Sequence, residues 1–246
     1  MKALFLIVVA GLLSGVAHAG PQIDVGVMYD YLDGDKSSFL KRVFNAGDTT
    51  AFVKINVLEI VYNAEGMPEE VPVKNQPELA ARNGLMASPA RLIVPANGMQ
   101  GTRLLFMGQR DQERYFRVRF VPVIPAKEDQ FAVAEEERAG YEKTLSAGVN
   151  VLAGYGTIFF VRPTHTQFDT QVSEAASRYL MTNKGNSVVI IDEFKDCPLG
   201  KDVDCKPTTK HHVLPGKAFE FDKQSGREYR FTLIEGSTKK VLTIKG

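Results

Sequence analysis

Val149-Asn-Val-Leu-Ala-Gly-Tyr-Gly-Thr-Ile-Phe-Phe-Val-Arg162-Pro163 reads as one long β-strand. No turn cluster or helical spacing interrupts it before the proline. At about 3.3 Å per residue it would span on the order of 45–50 Å, whereas ordinary strands run about 5–6 residues. Its second half is apolar on both faces (Ile158, Phe159, Phe160, Val161), as the core of a β-sandwich requires. Its first half sets Val149, Val151, Ala153 and Tyr155 on one face, and Asn150, Leu152, Gly154 and Gly156 on the other. A strand that outruns its sheet with a one-sided apolar row is either an aggregation hazard or a docking rail.

The flanking sequence also reads as strands. Ile23–Val27 alternates, and Phe39–Asn45 and Ala51–Val61 are separated by Ala46-Gly-Asp-Thr-Thr50, which suggests a hairpin. Arg91–Val94 and Thr102–Phe106 flank the turn signal Pro95-Ala-Asn-Gly98, and Arg114–Val123 alternates strongly. Residues 124–149 carry Lys127-Glu-Asp129 and Glu135-Glu-Glu-Arg138 and read as a charged loop, with a short helix over Ala132–Leu145 as the alternative. A second series follows: Gln167–Val172, Ser177–Asn183, Ser187–Phe194, His211–Leu214, Ala218–Asp222, Tyr229–Glu235 and Lys240–Ile244. Asn183-Lys-Gly-Asn186 reads as a hairpin turn, and Pro163-Thr164 as a linker. The expectation is all-β: two sandwich domains, 20–163 and 164–246, behind a leader.

That leader is a secretory signal over residues 1–19. Lys2 gives the positive region, Ala3–Val16 the apolar run, and Ala17-His-Ala19 a small-x-small cleavage pattern before Gly20. The run is short for a bilayer span, and no stop-transfer pattern follows, so membrane insertion is not expected. Without Lys2, basic and acidic residues balance, which argues against nucleic acid as a partner. In an oxidising compartment Cys197 and Cys205 are most simply a local disulfide; the alternative, a redox or metal site, has neither CxxC spacing nor a histidine within the loop. Closing so short a loop contributes roughly 2.5 kcal/mol in the chain-entropy model.

No catalytic constellation emerges. GxSxG, HExxH, a Walker loop and a GxGxxG fingerprint after a strand are absent from the sequence. His211 and His212 would point to opposite faces of a strand, so they are read as polar strand-end residues rather than a metal pair. Glu69-Glu70 and Glu135–Glu137 read as solvated runs in loops. No enzyme, cofactor or metal is expected. The arginines inside strands carry more information. Arg42, Arg117 and Arg119 either line a solvent-facing sheet side or form a carboxylate receptor, since a guanidinium fork holds a chain terminus bidentately.

Taken in order, several strings resemble the periplasmic pilus-assembly chaperones of the chaperone–usher pathway. They are closest to the alternative type serving the common pilus and colonisation-factor fimbriae. The strings are Leu40-Lys-Arg-Val-Phe44, Ser88-Pro-Ala-Arg-Leu-Ile-Val-Pro-Ala96, Glu113-Arg-Tyr-Phe-Arg-Val-Arg-Phe120, Gly156-Thr-Ile-Phe-Phe-Val-Arg-Pro163, the Cys197–Cys205 loop and Leu214-Pro-Gly-Lys217. The resemblance implies two immunoglobulin-like domains in an L-shaped arrangement. The long strand would end the first domain and lend Val149, Val151, Ala153 and Tyr155 to a pilin that lacks a strand. It also implies pilin and adhesin subunits and an outer-membrane usher as partners, a periplasmic location, and a free protein that is monomeric or weakly self-associating. The family's basic pair that clamps the pilin carboxylate is incomplete here: the lysine position falls near Ile158. Arg42, Arg117 and Arg162 are the remaining anchors to consider. The competing readings are a fimbrial subunit or adhesin, and a periplasmic metal-binding or enzymatic module of immunoglobulin type.

Overall fold

A computed structural model describes residues 20–73, 83–146 and 151–246. The signal segment and Val149 therefore lie outside the described residues. The first unit comprises β1 (Ile23–Asp24), β2 (Tyr29–Leu32), β3 (Ser38–Asn45), β4 (Ala51–Tyr62), β5 (Pro68–Pro72), β6 (Gly84–Ser88), β7 (Arg91–Val94), β8 (Met99–Met107), β9 (Arg114–Val123), α1 (Glu135–Ser146) and β10 (Tyr155–Val161). The second comprises β11 (Thr170–Glu174), β12 (Arg178–Asn183), β13 (Val189–Pro198), β14 (Thr209–Val213), β15 (Ala218–Asp222), β16 (Arg227–Glu235) and β17 (Thr238–Lys245).

Each unit is a pair of facing sheets. In the first, β1-β3-β8-β6 faces β2-β10-β9-β4-β5, with β7 pairing the far end of β4. In the second, β11-β12-β15 faces β14-β13-β16-β17. Period-two alternation explains the layering. On β9, Phe116, Val118 and Phe120 are fully buried while Arg117 and Arg119 face outward. The first core gathers Val43, Val53, Leu104, Phe116, Phe120 and Phe159, and the second Tyr179, Met181, Ile191, Tyr229 and Phe231.

Two turns expected to make hairpins instead cross between sheets. β3 and β4 lie in opposite sheets, as do β12 and β13. At each corner a buried asparagine, Asn45 or Asn183, satisfies the turn backbone, which a two-residue hairpin would have satisfied by strand pairing.

The long strand is also shorter than expected. Strand geometry covers only Tyr155–Val161, and residues 151–154 pair with no described strand. Its partner explains the break. The β10–β9 register sets Tyr155 opposite Phe120, so Ala153 would face Pro122, whose ring nitrogen has no hydrogen to donate.

The charged connection carries the helical alternative: α1 begins with Glu135, Glu136 and Glu137 in its first turn, where the helix dipole favours acids. Phe131 and Tyr141 pack edge-on to Phe52, at 5.3 and 4.8 Å. Glu70 lies on β5 rather than in a loop and bonds to Arg117 and Arg119. Strands β2, β5 and β6 were not anticipated; Tyr29-Asp-Tyr-Leu32 and Pro68-Glu-Glu-Val-Pro72 are too short and polar to read as strands alone. Cys197 and Cys205 form a disulfide.

Candidate functional site

The site begins with an edge. β10 pairs with β9 along its whole length, but β2 joins its other side only from Ile158 to Val161. Ile158 N–H donates to the Met28 carbonyl at 2.8 Å, and no described strand covers residues 151–157 beyond it. Alternation then places the Gly156 amide on this open side. Such a backbone edge with no described strand beside it is a template for another strand.

Side chains at this edge have two faces. Tyr155 packs against the first core, and Thr157, Phe159 and Val161 continue the inward row. Upstream, Val151 is 79 % exposed and Ala153 is exposed too. An apolar row anchored in the core at one end thus runs into solvent at the other. Arg117 reaches the same edge: its Nη1 donates to the Gly156 carbonyl at 3.2 Å, while Nε bonds Glu70 at 2.9 Å. A Cβ at position 156 would lie 3.2 Å from the Arg117 Cδ, so the glycine lets the arginine cross the strand.

Downstream, the edge leads into a cleft between the two units. Tyr29, Ile60, Tyr62, Tyr115, Ile158 and Phe160 form one wall of a cavity of about 370 Å³, and Lys210, His211, His212 and Leu214 the other. Lys210 pairs with Asp192 at 3.0 Å. His212 is not the polar strand-end residue expected from sequence. Its ring stacks on Phe160 at 5.2 Å, and its Nε2 lies 2.7 Å from the Tyr31 hydroxyl. Burial, reinforced by Lys210 and His211, pushes the His212 pKa down to about 4 against the pull of Asp192. His211 turns the other way, onto Phe219 at 4.8 Å, so the two rings do point apart. Among the described residues no cluster of three His, Cys, Asp or Glu could hold a metal.

The cleft has a polar lock. Glu113 is buried, and its carboxylate accepts from the Ser187 hydroxyl at 2.6 Å and the Val188 amide at 2.9 Å. Burial raises its pKa, opposed by these bonds, by Tyr115 and by the charge of Arg162. Arg110 donates to the carbonyls of Leu32, Asp33 and Arg162, tying the connecting segment to the first unit.

The three arginines weighed as anchors are not brought together. Arg42 is exposed on the outer face of β3, in the sheet opposite the cleft. Arg162 is buried between the rings of Tyr31 and Phe168, with Nη1 2.7 Å from Asp33. Arg117 alone of the three stands at the open edge. Sequence reasoning missed Glu113, the place of His212 in the cleft and the buried Lys41–Asp30 pair (2.7 Å), because each depends on a partner distant in the chain.

Two facing-sheet units, locked across a cleft and with an open edge on the first, define a two-sandwich protein of immunoglobulin-like fold. Curated proteins similar to this chain are named as probable fimbrial chaperones. One is "Probable fimbrial chaperone EcpB" of Escherichia coli O157:H7 (strain EC4115 / EHEC), 26% identical over 220 residues, 89% of this chain and 88% of that protein. Its counterpart from Escherichia coli O1:K1 / APEC is 25% identical over 220 residues, with the same shares of the two chains, 89% and 88%. Among solved structures, the class 5 fimbriae chaperone CfaA matches with a TM-score of 0.54 at 19% identity, over 92% of this chain and 99% of its own. The E. coli chaperone DraB matches with a TM-score of 0.53 at 13% identity, over 92% and 99%. These structural likenesses establish the fold. No family model matches the chain.

Proposed function

We propose that the chain is a periplasmic chaperone of the chaperone–usher pathway. It binds fimbrial subunits that lack a strand, completes them with its own edge, and delivers them to an outer-membrane usher. The observation that carries this reading is the open edge of β10, continued upstream by exposed Val151 and Ala153. Main-chain pairing gives generic affinity, and the alternate apolar side chains fill the subunit groove. Each aliphatic side chain fully buried there contributes roughly 1.5–3 kcal/mol before ordering costs. Val149 continues the row by sequence, and Tyr155 fixes its inner end in the core. Arg117 is the anchor for the subunit carboxylate at the edge, with Lys210 as a second cation across the cleft. Curated relatives named as fimbrial chaperones support the reading, and no enzymatic motif competes with it.

The test is co-purification of a co-expressed fimbrial subunit with the Val151→Asp variant. The variant should keep its circular dichroism spectrum and lose the subunit. Retention of the subunit would sink the donor-edge assignment.

A further inference from the structure

The open edge has a potential competitor within the chain itself. β2 pairs with β10 in parallel, Tyr29 beside Ile158 and Leu32 beside Val161. Continuing that register upstream would set Gln22–Met28 along Val151–Thr157 and close the edge. Such a segment acts at high effective concentration, so any partner would have to displace it.

The chain takes another path. Ile23 and Asp24 pair with Asn45 and Phe44 in the opposite sheet, and Ile23 and Val25 are buried in the first core. The crossing falls at Gly26, whose φ of +69° suits glycine and disfavours side-chain-bearing residues. Just beyond it, Lys41 Nζ donates to the Val27 carbonyl at 2.8 Å and to Asp30 Oδ2 at 2.7 Å. Both side chains are almost fully buried, at 4 and 3 % exposure. Lys41 stands on β3, the strand that holds β1, and Asp30 stands on β2. The ion pair therefore bridges the two sheets at the point where the first strand divides between them.

A buried ion pair is a poor source of stability, since desolvation offsets most of its attraction. Its place at the crossing suits a different role. We propose that Lys41 and Asp30 are positioning residues for the donor edge: they hold the N-terminal strand in its divided path and so keep residues 151–157 open to a partner. This rests on the function proposed above, but its main readout does not need a partner.

The experiment replaces the pair by apolar residues of similar size, Lys41→Met with Asp30→Leu, so that no lone charge is left buried. A second variant, Gly26→Val, disfavours the crossing without touching the pair, and no atom lies within 4 Å of the added Cβ. Amide exchange at Gly156 is followed by NMR on the free full chain, and capture of a co-expressed fimbrial subunit is measured in parallel. The expected result for both variants is Gly156 protection raised at least about tenfold, with subunit binding weakened by a similar factor. Unchanged Gly156 exchange in folded variants would overturn the proposal, whatever binding does. Raised protection with undiminished capture would overturn it as well. If the wild-type chain captures no subunit, the chaperone reading fails, while Gly156 still judges the role of the pair.

Discussion

Asn45 and Asn183 make matching sets of backbone hydrogen bonds at corresponding corners of the two sandwiches. Each Nδ2 donates to the carbonyl four residues on, Thr49 at 2.7 Å and Ser187 at 2.9 Å. Each also donates across to a neighbouring strand, Val94 at 3.2 Å and Val213 at 2.8 Å. Each Oδ1 accepts from the amide two residues on, Gly47 at 3.1 Å and Gly185 at 3.0 Å. An amide side chain alone supplies both donors and an acceptor here, which explains why the chain can turn from one sheet to the other without orphaning its backbone.

Replacing either asparagine by alanine should therefore destabilise its own sandwich by about 1–3 kcal/mol, the cost of leaving buried polar groups unpaired. Denaturant unfolding gives the magnitude, and residue-resolved amide exchange shows which sandwich is affected. Aspartate should not rescue, because an ionised carboxylate cannot donate. A neutral Asn183→Ala would show that water replaces the side chain.

Glu113 locks the cleft from the first unit, with Ser187 and Val188 as its partners in the second. Glu113→Ala should cost about 1–3 kcal/mol and separate the thermal transitions of the two units. Glu113→Gln keeps an acceptor and should cost less. Equal losses in both variants would point to the charge, through Arg162, rather than to the hydrogen bonds.

His212 gives the cleft a pH dependence whose sign follows from its depressed pKa. Near neutral pH the buried imidazole is uncharged in the folded chain. As pH falls from 6.5, the unfolded chain takes up the proton before the folded one, whose pKa lies at about 4. The contribution of His212 to stability is therefore complete above pH 6.5 and is lost as pH falls toward 4. The melting temperature should drop over this window less steeply for His212→Phe, which keeps the stacking on Phe160. Parallel slopes for wild type and variant would remove His212 as the cause.

Much of the fold was legible because it rests on local alternation. Tyr115–Val121 shows its inward and outward rows without any knowledge of partners, and the disulfide was readable because Cys197 and Cys205 are the chain's two cysteines and lie close together in a sequence that reads as having a secretory leader. The hairpins were misread for a related reason. A turn with one glycine after an asparagine looks alike whether the next strand pairs beside the last or crosses to the facing sheet, and only the receiving carbonyls, Val94 and Val213, distinguish them. The candidate site was half legible. Val151 and Ala153 stood out by their pattern, whereas Arg42 and Arg117 looked equivalent in sequence and lie on opposite sheets.

The sequence by itself determined an all-β chain in two sandwiches, a local disulfide, and a one-sided apolar row leading into the last strand of the first sandwich. These follow from side-chain periodicity and covalent proximity, which act over a few residues. Only the tertiary structure decided where that strand stops, which of its edges is open, and which charges face the cleft. Pro122 ends the ladder because the register would set it opposite Ala153, and Lys41 meets Asp30 because two sheets face each other. Glu113 finds Ser187 across 74 residues. Such pairings are set by strand order and register, and the spacing of residues along the chain carries no record of them.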